Sequence, residues 1–186
     1  MARLIYDAFT PLDGYVADAS GNFDWSALDD EVSAFINSRE GRIGTYLFGR
    51  RMYETMAVWE TPELLPPLTP TALEFSAIWQ SAHKIVYSTT LQSVTTANTR
   101  LERSFEPDVV RELKARSARD IAVGGPTLAA QAIRAGLVDE YDLLIAPVVV
   151  GGGNRYWPDG VPLRLELIDE RRFDNGVVHV RYRAKS

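Results

Sequence analysis

Along this chain, short apolar runs alternate with stretches whose apolar positions recur every three or four residues, which predicts strands interleaved with helices. Residues 3–9, RLIYDAF, form a short apolar run with β-favouring side chains and predict a first strand. PLDG, 11–14, is a turn signal, and YVAD continues extended. DASGNFD, 18–24, is polar and contains glycine, the composition of a mobile loop. From Ser26 the period changes. Leu28, Val32, Phe35 and Ile36 fall at i, i+4, i+7 and i+8, the apolar stripe of a helix. Ser26 and Asp29 are spaced as a capping box, and Gly41 is a natural stop.

TYLFG, 45–49, predicts a second strand and RRMYETMAVW, 50–59, a second helix. TPELLPPLTP, 61–70, holds four of the ten prolines and reads as a loop. TALEFSAIWQ, 71–80, is helical, HKIVYST, 83–89, is a strand, and residues 99–104 suit a short strand. Helix 107–117 opens on Pro107, a residue tolerated in a first turn. Strand 120–124 and helix 126–135 follow, with Gly136 as the cap. YDLLIAPVVV, 141–150, is a long apolar run that suits a central strand buried on both faces. LRLELIDERRF and VVHVRYRA flank DNG, 174–176, a hairpin signal. The alternation predicts an α/β fold with a mostly parallel sheet and an antiparallel C-terminal hairpin, in one domain over residues 1–186.

Composition narrows the function. The net charge of −5 gives no electrostatic support for general nucleic-acid binding. The absence of cysteine excludes disulfides, thiolate metal sites and cysteine nucleophiles. His83 and His179, far apart in sequence, speak against a histidine-rich metal site, and neither has a visible acid partner. MARLIYDAF lacks the pattern of a signal peptide, and no segment approaches the roughly 20 apolar residues that span a bilayer. A soluble cytoplasmic protein, with no membrane partner, is the expectation.

Three predicted strand ends carry candidate chemistry. Gly124 and Gly125 separate a strand from a helix that opens with Pro126. The unpaired N–H groups and positive dipole end of such a helix attract a phosphate. A tight turn needing positive φ explains the glycines equally well. LFGRRMYE places Gly49, Arg50 and Arg51 after another strand, and VYSTTL places Ser88, Thr89 and Thr90 after a third. Ligands of open α/β sheets collect at the carboxyl ends of strands. Guanidinium and hydroxyl donors beside an anion-binding backbone suit a nucleotide with a 2′-phosphate, hence NADP rather than NAD.

These residues, in this order, resemble the dihydrofolate reductase-like fold, and in particular stand-alone relatives of the reductase domain of the riboflavin-pathway deaminase–reductase. The resemblance is carried by TPLDGYVA, FGRRMYE, VYST, VGGPTL, GLVDEYDLLIAPVVVGGG and the closing hairpin. It implies a three-layer α/β/α architecture, NADPH as hydride donor and a homodimer. It implies that Gly124, Gly125, Pro126, Thr127 and Leu128, with Val123 before them, line the pyrophosphate and nicotinamide. Gly49, Arg50, Arg51 and Met52 would hold the adenosine phosphates, Ser88 and Thr89 the 2′-phosphate, and Ala8, Val16 and Ala17 the nicotinamide. Loop 18–25 would cover the cofactor.

The substrate side matches less. Folate reductases carry an acid on the first helix, and Glu31 and Asp30 are the candidates, with a solvent-facing acidic helix start as the alternative. Trp25, Phe35 and Met56, beside Tyr53 and Trp59, offer walls for a flat substrate or a core. Ile145 stands where folate reductases keep a threonine behind the acid, and Val123 where riboflavin-pathway reductases commonly keep a glutamate. GGGN, 151–154, reads as a bulge or loop, and Asp13 as a turn former. The expectation is an NADPH-dependent reductase of a small heterocyclic, pteridine- or pyrimidine-like, or carbonyl substrate. The alternatives are the ribosylamino-pyrimidine reductase of riboflavin synthesis and a non-catalytic NADP-binding sensor or resistance protein.

Overall fold

The computed structural model describes residues 1–23, 25 and 28–185. Ten strands and five helices follow in the order β1 (Leu4–Pro11), β2 (Tyr15–Ala17), α1 (Asp30–Glu40), β3 (Ile43–Gly49), α2 (Arg50–Met56), α3 (Pro70–Ser81), β4 (His83–Tyr87), β5 (Thr99–Glu102), α4 (Pro107–Arg116), β6 (Asp120–Gly124), α5 (Pro126–Arg134), β7 (Glu140–Ala146), β8 (Asn154–Arg155), β9 (Leu165–Arg172) and β10 (Val178–Ala184). Eight strands form one sheet in the order β5-β4-β3-β6-β1-β7-β10-β9. All neighbours from β5 to β7 are parallel, and β10 pairs antiparallel with both β7 and β9. The fold is thus the expected α/β/α, mostly parallel sheet with an antiparallel hairpin. β2 and β8 form a separate two-stranded ribbon.

Period-two alternation divides the core. On β1, Leu4 and Tyr6 face α4 and α5, where they meet Ile121, Val123, Ala129, Ala132 and Ile133. Ile5 faces the opposite layer with Tyr46, Phe48 and Ala122, beneath Tyr53 of α2 and Trp79 of α3. Farther along this face, Val32 of α1 packs on Leu144, Phe173 and Val177. Asp7 shares the parity of Ile5, so a carboxylate points into the α1–α3 layer.

Beyond shifts of about two residues at several strand ends, the elements differ from the sequence reading at four places. The first helix starts at Asp30, and Asp29 caps it by accepting from Val32 N at 2.9 Å. The Ser26 half of the capping box lies outside the described residues. The second helix ends at Met56 and continues as a 3-10 turn over Ala57–Glu60. A 3-10 turn, Pro62–Leu64, interrupts the proline-rich loop. The long apolar run leaves the sheet after Ala146 because Pro147 has no N–H for the ladder, and Val149 is exposed.

Candidate functional site

The parallel strands β3, β4 and β6 end together. Gly124 pairs in register with Phe48, and Gly49 with Tyr87. At Gly125 the chain takes φ +92°, a left-handed conformation that favours glycine, and turns into α5 with no side-chain cap. The first-turn N–H groups of α5 therefore stay available to an anion. A Cβ on Gly124 would sit 2.8 Å from the Phe48 ring, so close packing also requires this glycine. Arg50 Nη1 donates to Thr90 Oγ1 at 3.0 Å and joins two of the three strand-end loops. Its Nε also donates to Glu54 of its own helix. Arg51 is exposed and makes no ion pair among the described residues. Ser88 Oγ accepts from Thr90 N and Leu91 N, which makes it a turn former, while Thr89 is exposed. Arg103, which the sequence reading missed, donates to the carbonyls of Ser88 and Leu91. Backbone donors, free guanidinium and hydroxyls fit the phosphates of a nicotinamide dinucleotide.

A second module closes against this end. The segment after β7 crosses β2 so closely that a Cβ on Gly153 would lie 2.0 Å from the carbonyl oxygen of Ala17. Asp13 Oδ2 accepts from Val150 N and Gly151 N, so it ties two loops together as well as forming a turn. Val16 packs on the core beside the strand ends. A shallow cleft of about 630 Å³ lies beyond it, and its cation Arg155 is paired with Asp159.

The layer of α1–α3 leaves a cavity of about 650 Å³ over the middle of the sheet. Ile5, Asp7, Ala122 and Gly124 form its floor, Ile36 and Glu40 line it from α1, and Met52, Met56 and Phe75 from α2 and α3. Phe23, Leu28 and Val58 line it as exposed apolar side chains. Ala8, Met52 and Gly124 belong both to this lining and to the expected cofactor set, so the cavity reaches the strand ends, while Arg50, Arg51, Ser88 and Thr89 lie outside its lining.

The floor is acidic, and its charges are unequal. Asp142, the register partner of Asp7, is flanked by His179 Nε2 at 2.7 Å from Oδ1 and by Arg39 Nε at 2.9 Å from Oδ2. Burial pushes the Asp142 carboxyl up, but the His179 hydrogen bond and the charges of Arg39 and Arg181 hold it below the usual carboxylate range. Burial pushes Asp7 well above that range, and the charges of Glu40 and Asp142 add to the effect. Glu40 is pushed up to about 7 by burial and Asp142, against the Tyr46 hydroxyl that donates to it at 2.6 Å. Arg181 is spent on Glu140, and Arg39 also reaches Asp169.

The two acids singled out on the first helix do not line this cavity. Glu31 is exposed and pairs with Arg171 of β9 at 2.6 Å, and Asp30 is exposed and accepts from Thr71. Among the described residues, the carboxyls that line it are Asp7, Glu40, Asp120 and Asp142. Met56 lines the cavity, whereas Phe35 packs edge-on against Phe173 and His179, and Trp25 stands apart from the lining. The side chains of Val123 and Leu128 are buried in the core beneath α5, while Pro126 and Thr127 stay accessible. His179, read as lacking an acid partner, is buried against Asp142. Ile145 is half-buried on β7 beside Thr10.

The model of one family, the RibD C-terminal domain, matches residues 2–179. An uncharacterized protein of Bacillus subtilis, YyaP, is 30% identical over 97% of this chain and 94% of its own length. Among solved structures, a putative riboflavin biosynthesis protein from Shewanella superposes with a TM-score of 0.74 at 20% identity, over the whole of both chains. A dihydrofolate reductase from Enterococcus faecalis, complexed with NADP(H), superposes at 0.66 and 14% identity, over 99% of this chain and 97% of that one. A deaminase/reductase from Thermotoga maritima superposes at 0.67 and 16% identity, and this chain spans 57% of it.

Proposed function

This chain belongs to the RibD C-terminal domain family, and from that premise we propose that it is an NADPH-dependent reductase of a small heterocyclic or carbonyl substrate. One observation supports the reading: the cavity reaches the ends of β3 and β6 at Ala8, Met52 and Gly124, beside the donors that follow β3, β4 and β6. NADPH, when bound, supplies the hydride. The first turn of α5 would hold its pyrophosphate, Arg50, Arg51 and the loop after β4 its adenosine phosphates, and Ala8, Val16 and Ala17 its nicotinamide. The chain's own work is then to orient the acceptor over the floor and exclude water.

Calorimetric titration with NADPH and NADH tests the cofactor. NADPH is expected to bind tighter, and Arg50→Ala and Arg51→Ala to remove most of the difference, about 1–3 kcal/mol for a charge-assisted phosphate contact. If neither nucleotide binds, the glycine pair is a tight turn and the reductase reading falls.

The riboflavin-pathway alternative has the family and the name of the Thermotoga relative on its side. It requires a basic group for the substrate's phosphate, and of the cavity cations Arg39 and Arg181 are already neutralised.

A further inference from the structure

We propose that Asp7 is the proton donor of the reaction, acting from the cavity floor on a small, flat, uncharged acceptor with a carbonyl or imine group. The inference rests on the reductase reading. Three carboxyls surround the floor near the expected nicotinamide, and two of them are occupied. Asp142 is engaged through both oxygens by Arg39 and His179, and Glu40 through Oε2 by Tyr46. Among the described residues the Asp7 side chain makes no hydrogen bond to any other residue; it lines the cavity and immediately precedes Ala8. It is the carboxyl left free to meet a ligand.

The groups facing Asp7 keep its proton in place. Glu40 from α1 and Asp142 from β7 repel a second negative charge, and burial penalises it. The Asp7 backbone N–H and Arg39 of α1 oppose them, but the Arg39 guanidinium is committed to Asp142 and Asp169. Tyr46 from β3 donates to Glu40, while His179 and Arg181 from β10 serve Asp142 and Glu140. Asp120 of β6, at the other end of the cavity, is held by Arg3. A neutral Asp7 can donate a hydrogen bond and then a proton. The acceptor's carbon takes the hydride supplied by NADPH, the π pair moves to its oxygen or nitrogen, and that atom takes the proton from Asp7 Oδ. Water returns a proton to the carboxylate, and the products are NADP⁺ and the alcohol or amine.

The same geometry selects the acceptor. The walls and mouth are apolar, with Ile36, Met56, Phe75, Phe23, Leu28 and Val58, and the floor is acidic. Arg42 is the lining cation with no carboxylate partner among the described residues, and it sits at the N-terminal edge of β3, away from Ala8 and Gly124. An anionic acceptor would therefore lose its hydration over the floor with no unpaired cation near Ala8 and Gly124 to meet it.

Isatin, a flat uncharged heterocyclic ketone, and isatin-5-sulfonate, its permanently anionic counterpart, are the probes. Isatin is expected to be reduced with NADPH, and the sulfonate to show a kcat/KM lower by about tenfold or more. The wild-type rate should fall as pH rises through the elevated Asp7 pKa. Asp7→Asn should lower kcat/KM by about 100-fold or more and abolish that pH limb, with NADPH affinity unchanged. A measurement free of turnover runs beside it. In wild-type protein labelled with carbon-13 at the aspartate carboxyls, the Asp7 resonance, assigned through the backbone, should titrate above the ordinary aspartate range and shift on adding isatin. Retention of rate and pH profile in Asp7→Asn, or an ordinary Asp7 titration, overturns the proton-donor role. Isatin inert in protein that binds NADPH, or the sulfonate reduced equally well, overturns the acceptor class and leaves the reductase reading standing. Failure to bind NADPH removes both.

Discussion

At the C-terminal end of α1, Glu40 is opposed by burial, by Asp142 and by the negative end of the helix dipole. The folded chain therefore holds this proton up to a pH of about 7, whereas the unfolded chain releases it near the ordinary glutamate value. Between those values the native state binds more protons, so stability falls as pH rises. Glu40→Gln keeps an acceptor for the Tyr46 hydroxyl and removes the titration. Thermal unfolding between pH 5 and 8 should show the wild-type Tm declining relative to the variant, and parallel curves would rule this out. Asp142 contributes with the opposite sign: its lowered pKa adds stability at neutral pH that is lost in acid. None of this was legible in the sequence. Asp7 interrupts an apolar run, and Asp142 finds Arg39 across 103 positions and His179 across 37. A charge inside a strand reads as an exposed face until its partners are placed. Glu31 shows the converse, a carboxyl in the right place along the chain whose side chain turns outward to Arg171.

The elements were read best where period and punctuation agreed. Strand β6, opened by Asp120 and closed by the glycine pair, and α4, opened by Pro107, lie where the pattern put them, and the DNG turn joins β9 to β10. The failures lie where an apolar run outlasts its strand. Residues 147–150 are as apolar as β7, yet they leave the sheet and lead to the crossing at Gly153. Hydropathy carries no signal for a backbone crossing, and only the cluster of glycines hinted at one. Gly153→Ala tests how much the crossing matters. Its φ of +134° and the 2.0 Å approach to Ala17 leave no room for a methyl group, so β2 or the 147–155 segment must move. A loss of about 1–3 kcal/mol in urea unfolding is expected, together with weaker NADPH binding, since β2 carries Val16 and Ala17. An unchanged midpoint would mean that the crossing relaxes freely.

At the scale of the whole molecule, the expected homodimer is a proposal. Leu12 and Val149 stand exposed on neighbouring segments, joined by the hydrogen bond from Leu12 N to Val148 O, and offer it an apolar contact. Sedimentation velocity should give one species at twice the chain mass of 20.8 kDa, and a single species at the monomer mass would dismiss the dimer.

The sheet order has a consequence for how the protein comes into being. β1 lies between β6 and β7, and Arg3 at its start bonds to Asp120, 117 positions later. A ribosome releases β1 first and its two neighbours only after most of the chain has emerged. Until then the apolar LIY of β1 has no strand to pair with, and the central layer cannot close. Such non-local pairing folds slowly and leaves sticky edges exposed. The central layer of the sheet can therefore close only once the chain is free through residue 146.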